Sequence, residues 1–189
     1  MTGEEFDKLT KTNPSWCLSI KEPLEITTYA NLSRSPITHL SPLITFSGRN
    51  MHGWVGSFQQ SNLKVATGTF KGYVYFDGSA VEKIENLIVD SPCHSLSAAS
   101  FAECRKLKVA TGIFHGRVDF NSSGVEKIEN LITTTKHGTF LGCPIKYVPK
   151  EYRGDKFYFS ENIKENSIKI DIRTDQIKKI RAEANNIEL

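Results

Sequence analysis

Residues 63–87 read LKVATGTFKGYVYFDGSAVEKIENL, and residues 107–131 read LKVATGIFHGRVDFNSSGVEKIENL. The two segments align without a gap at an offset of 44, with 18 of 25 positions identical. Such self-similarity marks a repeat architecture, in which one unit cannot bury its apolar edge alone and neighbours stack to share a core. Five of the differences fall at 69, 71, 73, 75 and 77, while Phe70, Gly72, Val74 and Phe76 between them are unchanged. A strand sends alternate side chains to opposite faces, so this alternation predicts one strand with a constant inner face and a freely varying outer face. The varying face carries Thr69, Lys71, Tyr73, Tyr75 and Asp77 in the first copy, and Ile113, His115, Arg117, Asp119 and Asn121 in the second.

A period of 44 is long for one solenoid turn, and a half-period is visible. Val74, Phe76, Ser79, Val81, Ile84 and Leu87 recur as Val118, Phe120, Ser123, Val125, Ile128 and Leu131. A weaker copy is Ala30, Leu32, Ser35, Ile37, Leu40 and Leu43. Between them lie Leu96, Ala99, Phe101, Cys104 and Leu107, with shorter versions at Phe58, Ser61, Leu63 and at Phe140, Cys143, Ile145. A small residue therefore recurs as Ser35, Ser61, Ser79, Cys104, Ser123 and Cys143, at spacings of 26, 18, 25, 19 and 20. It fits where the chain leaves the strand, and its hydroxyl can bond backbone groups opened by the turn. The triplet spacing of Val81, Ile84 and Leu87 predicts a 3₁₀ or loose helical return on the outer side.

This pattern resembles the leucine-rich repeat, LxxLxLxxN/CxL, in an irregular form with Ser or Cys at the Asn/Cys position. The resemblance covers about residues 29–147 and implies an α/β or mainly β solenoid of about six turns with short parallel strands. It departs from the family in using Val, Phe and Ile where Leu is usual. The competing architecture is a right-handed parallel β-helix, to which ANLSR and ASFAE point. Residues 1–28 are expected to form an N-terminal cap, with a short helix over EEFDKLTKTN ended by Asn13-Pro14. Residues 148–189 are expected to form a C-terminal cap. Its strands are read at 156–160 and 167–172, and Thr174 would cap a terminal helix carrying Lys178, Lys179 and Arg181 outward.

With 39% apolar and 24% charged residues, the chain of 189 has the composition of a folding domain. A net charge of +3 gives no reason to expect nucleic acid or a membrane surface as a partner. No apolar run approaches the roughly 20 residues of a membrane span. The polar start MTGEEFDK lacks a secretory core, which points to the cytoplasm, or to delivery into a host cell without a cleaved signal. Lys-, Ile- and Asn-rich usage points to an AT-rich genome, and the expected context is a bacterial effector or an intracellular adaptor. Cys17, Cys93, Cys104 and Cys143 form no CxxC, so neither a disulfide framework nor a zinc site is expected.

No catalytic constellation stands out, and no cofactor is implied. VATGTFKG lacks the GxxxxGK[ST] of a phosphate loop, and His115 replaces Lys71 in its second copy. The five histidines form no metal-binding spacing. Asp77, Asp119, Glu103 and Glu129 could pair as acid and base, the basis of an alternative reading as a β-helix enzyme acting on carbohydrate. The favoured reading is a monomeric protein-binding module. Its candidate binding residues are Tyr73, Tyr75 and Asp77 beside Arg117, Asp119 and Asn121, with Ser57, Gln59, Ser100 and Ala102 on intervening turns. Tyr and Arg are common interface anchors. End-to-end self-association through open solenoid ends is the structural alternative.

Overall fold

The computed structural model describes residues 1–91, 97–135, 137–154, 156–160, 163 and 167. A helix, α1 (Gly3–Thr12), is followed by short strands in chain order: β1 (Leu24–Ile26), β2 (Ala30–Asn31), β3 (Ile44–Phe46), β4 (Trp54–Ser57), β5 (Val65–Phe70), β6 (Tyr73–Tyr75) and β7 (Lys83–Asp90). Then come β8 (Ser97–Ser100), β9 (Val109–His115), β10 (Arg117–Asp119), β11 (Lys127–Thr133), β12 (Gly138–Thr139) and β13 (Phe157–Tyr158). Strands alternate between two parallel sheets. Odd strands give the six-stranded order β1-β3-β5-β7-β9-β11, and even strands with β13 give the seven-stranded order β13-β12-β10-β8-β6-β4-β2. The chain is a β-solenoid of about seven turns, an architecture that also fits the β-helix alternative.

The half-period visible in the sequence is the turn itself. In the seven-stranded sheet Ala30, Gly56, Val74, Ala99, Val118, Gly138 and Phe157 stack in register, at separations of 26, 18, 25, 19, 20 and 19 residues. The first five equal the Ser/Cys spacings. The stack reaches one turn beyond the six expected, because β1 lies before residue 29 and β13 lies beyond 147.

Two further expectations are corrected. Residues 69–77 do not form one strand: β5 and β6 belong to different sheets, joined by a corner at Lys71-Gly72. Inward and outward alternation continues through the corner, so the two strands share the pattern of one. The corner needs glycine because it lies against the preceding turn. A Cβ on Gly72 would sit 2.6 Å from Val55 Cγ1 and 2.7 Å from the Gly53 carbonyl oxygen. The outer return is also not helical, since residues 83–90 are strand. The spacing of three between Ile84 and Leu87 comes from a bulge. Ala66 and Gly68 pair with Ile84 and Leu87, leaving one extra residue on β7, and Asn86 turns left-handed at φ 49°. Asn130 repeats the device at φ 51° between Ile128 and Leu131.

The core is a column of aromatic rings. Phe58, Phe76, Phe101, Phe120, Phe140 and Phe159 stack at centroid distances of 5.2, 4.7, 5.3, 5.1 and 5.0 Å. Phe58, Phe76, Phe101, Phe120 and Phe140 each stand three residues before the buried Ser or Cys of their turn, and Leu32 takes that place in the first turn. The Ser and Cys residues are buried as expected. Each donates its backbone N–H to the carbonyl three residues earlier, at 3.0–3.3 Å. The Oγ of Ser35 and Ser61 accepts from the amides of Ile37 and Leu63. The thiols of Cys104 and Cys143 donate to the carbonyls of Phe76 and Phe120 on the preceding turn, at 3.1 and 2.9 Å.

Helix α1 covers the N-terminal end. It starts with a capping box between Thr2 and Glu5 and stops at Asn13. Its buried Phe6 packs edge-on against Phe46 at 5.5 Å and Trp16 at 5.6 Å, closing the first turn. At the other end Tyr152 donates its hydroxyl to the Leu131 carbonyl on the outer edge of β11. The expected strand after Ser167 and the helix from Thr174 lie outside the described residues.

Candidate binding face

The outer face of the seven-stranded sheet is organised in rows that run across the strands. One row is Asn31, Ser57, Tyr75, Ser100, Asp119, Thr139 and Tyr158, each paired with the next. Large and small residues alternate along it. Ser57, Ser100 and Thr139 are buried between their larger neighbours, while Tyr75 and Asp119 are half-buried. Two residues on in each turn runs a second row that includes Gln59, Asp77, Ala102, Asn121 and Leu141, defined by amides one turn earlier donating to these carbonyls.

The polar groups are held by backbone. Asp77 Oδ1 accepts from the Ala102 amide at 3.2 Å, and its Oδ2 accepts from Gln59 Nε2 at 3.3 Å. Asp119 Oδ1 accepts from the Asn121 amide and the Thr139 hydroxyl, both at 2.8 Å. Asn121 Oδ1 accepts from the Leu141 amide at 2.9 Å. Burial pushes the Asp77 carboxyl above its ordinary range, opposed by its bonds to Ser100, Gln59 and the Ala102 amide and reinforced by the negative charge of Asp119. Burial likewise raises the Tyr75 phenol, with Asp77 and Tyr29 adding to the effect. Tyr75 packs edge-on against Trp54, centroids 4.9 Å apart.

Of the six residues expected on this face, Tyr75, Asp77, Arg117, Asp119 and Asn121 reach it, each half-buried. Tyr73 does not: it is 3% exposed, with its ring packed against the backbone of the preceding turn at Gly53. Arg117 places its Nε in a buried position with no hydrogen-bond partner among the described residues. The four carboxylates that could form an acid–base set are divided. Glu129 is on β11 of the other sheet, whereas Asp77, Asp119 and Glu103 belong to the seven-stranded side. The VATGTFKG segment is strand β5 and a corner, not a loop opening a helix.

A third row lies outside the six binding residues expected from the sequence. The residue just before each buried Ser or Cys is left-handed: Arg34, Gln60, Gly78, Glu103, Ser122 and Gly142, at φ 58°, 56°, 63°, 59°, 56° and 74°. Glycine suits this conformation best, as Gly78 and Gly142 attest. The signal available in the sequence is long polar residues in a turn slot made for glycine. On the first four turns this row and the one beside it enclose a concave trough of about 570 Å³. Its floor is open because Gly78 and Ala102 are small, and Arg34, Gln60, Asp77 and Glu103 border it. Arg34 Nε donates to Gln60 Oε1 at 3.0 Å, which lays the guanidinium along the trough.

The buried thiols offer no nucleophile. Burial pushes Cys17 up to about 12 and Cys104 up to about 11, and raises Cys143. Among the described residues no group of three or more His, Cys, Asp or Glu is gathered to hold a metal ion, and no helix is long and apolar enough to cross a membrane. No protein-family model matches the chain, and comparison with curated proteins and with solved structures returns no match.

Proposed function

We propose that the chain is a non-enzymatic binding module that holds a protein partner on the outer face of its seven-stranded sheet. The observation that carries this reading is the in-register row containing Tyr75 and Asp119, whose side chains are fixed by their neighbours before any partner arrives. Ordering is then not required at the moment of association, which favours affinity. The resemblance to leucine-rich repeats, which use a strand face in this way, points in the same direction. The module would act as an intracellular adaptor or as a bacterial effector delivered to a host cell.

The test is affinity capture from native or host lysate with wild type and with a Tyr75→Ala/Arg117→Ala variant of matched circular dichroism. A partner retained by wild type and lost by the variant is expected. Equal capture by both proteins would refute use of this face.

A further inference from the structure

We infer that the trough on the first four turns is the specificity pocket of this face, and that it takes an extended protein segment bearing an acidic and a basic side chain about four residues apart. The inference rests on the binding reading above and names the partner's chemistry.

Three observations carry it. The first is the shape. Arg34, Gln60, Gly78 and Glu103 are equivalent positions on four successive turns, so Arg34 and Glu103 stand about three strand spacings, or roughly 14 Å, apart. Gly78 leaves the middle of that line empty, and Ala102 leaves the side of Asp77 open. An extended peptide rises about 3.4 Å per residue, so side chains four residues apart span nearly the same distance.

The second is charge. Arg34 lies at one end, and Asp77 and Glu103 lie toward the other. Neither Arg34 nor Glu103 has an ion-pair partner among the described residues. Arg34 presents its remaining guanidinium donors to an incoming carboxylate. Asp77 is held half-buried at a raised pKa, and an arriving cation would favour its charged form. The trough thus offers a cation and two carboxylates in fixed order, which also sets the direction in which a segment lies.

The third is the choice of residues. The turn at these positions is built for glycine, yet three of the four slots bordering the trough carry Arg, Gln and Glu at positive φ. The Arg34–Gln60 hydrogen bond gives two of these side chains a role between turns, whereas Glu103 has no ion-pair partner among the described residues. The equivalent slots beyond the trough hold Ser122 and Gly142, which are small and uncharged.

This choice makes the test clean, because replacing these residues by glycine relieves the backbone. The double variant Arg34→Gly/Glu103→Gly should unfold at an equal or higher urea concentration than wild type. Isotopically labelled protein is titrated with Ac-Asp-Gly-Ser-Gly-Lys-NH2, with its reversed sequence, and with the neutral Ac-Asn-Gly-Ser-Gly-Gln-NH2. Saturable amide shifts at Arg34, Gln59, Gly78, Ala102 and Glu103 are expected with one charged peptide. The neutral peptide and the double variant should each bind at least about tenfold more weakly. No saturable shift up to about 10 mM, equal shifts from the neutral peptide, or unchanged binding by the double variant each overturns the inference. Lysate capture separates it from the broader reading. A partner lost by Tyr75→Ala/Arg117→Ala but kept by Arg34→Gly/Glu103→Gly overturns the trough and leaves the face. Trough binding of the peptide, with capture unaffected by Tyr75→Ala/Arg117→Ala, supports the trough and removes the wider face.

Discussion

Removing one ring from the middle of the phenylalanine column tests whether the column holds the turns together. Phe101 is fully buried and lies parallel to Phe76 at 4.7 Å and Phe120 at 5.3 Å, with Phe114 edge-on at 6.2 Å. Truncating a buried Phe to Ala typically costs about 3–5 kcal/mol, and stacking on both faces puts Phe101→Ala near the upper end. Phe101→Leu should cost only about 1–1.5 kcal/mol, because Leu32 already fills this position in the first turn. Urea unfolding followed by far-ultraviolet circular dichroism gives the midpoints, and an unchanged slope shows that the same surface is exposed. If Phe101→Ala stayed within about 0.5 kcal/mol of wild type, or cost no more than Phe101→Leu, stability would not reside in the column.

Four other outcomes follow from the same geometry. Ser122→Gly should stabilise the fold by about 1 kcal/mol in urea unfolding, because φ at Ser122 is 56°, and a loss of stability would refute the left-handed assignment. Gly72→Ala should destabilise by about 1–3 kcal/mol or more, since the added Cβ would meet Val55 and the Gly53 carbonyl inside contact distance. In a Cys93→Ser background the native protein should resist thiol labelling at pH 8, roughly the ordinary thiol range, and react fully once unfolded, because Cys17, Cys104 and Cys143 are all buried. For Asp77 the folded pKa is raised above its ordinary 3.8, so the folded state binds the proton more tightly than the unfolded state. Its contribution is then most favourable below pH 3.8 and is lost as pH rises through the raised value. Asp77→Asn, which copies Asn121 of the second repeat, should flatten that part of the pH profile and leave stability at neutral pH equal or higher. A pH dependence identical to wild type would show that Asp77 is not the group responsible.

How much of this was legible depends on what each residue reports. The turn spacing was readable because Phe and Ser/Cys are dictated by the interior. A ring stacks on a ring and a small polar atom fits the turn, so substitution is restricted and the half-period shows through. The alternation of residues 69–77 was also readable, but not the corner inside it. Inward-outward order is preserved while the chain changes sheet, so a period of two cannot distinguish one strand from two. The bulges at Asn86 and Asn130 misled in the opposite sense. An extra left-handed residue puts two inward side chains three apart, which imitates a helical spacing within a strand. Alternation assigns Tyr73 to the outer face, yet it is buried against the preceding turn at Gly53, and packing between turns leaves no trace in the periodicity of either one. The trough was hidden for a related reason. Its border comes from Arg34, Gln60, Gly78 and Glu103, which are scattered over some seventy residues and meet only because turns of unequal length return to the same register. The informative quantity at such a slot is the mismatch between what the backbone prefers and what the chain carries. In a solenoid that mismatch becomes visible once the turns are aligned on their buried Ser or Cys, so the same alignment that reveals the fold also reveals which slots depart from what the backbone prefers.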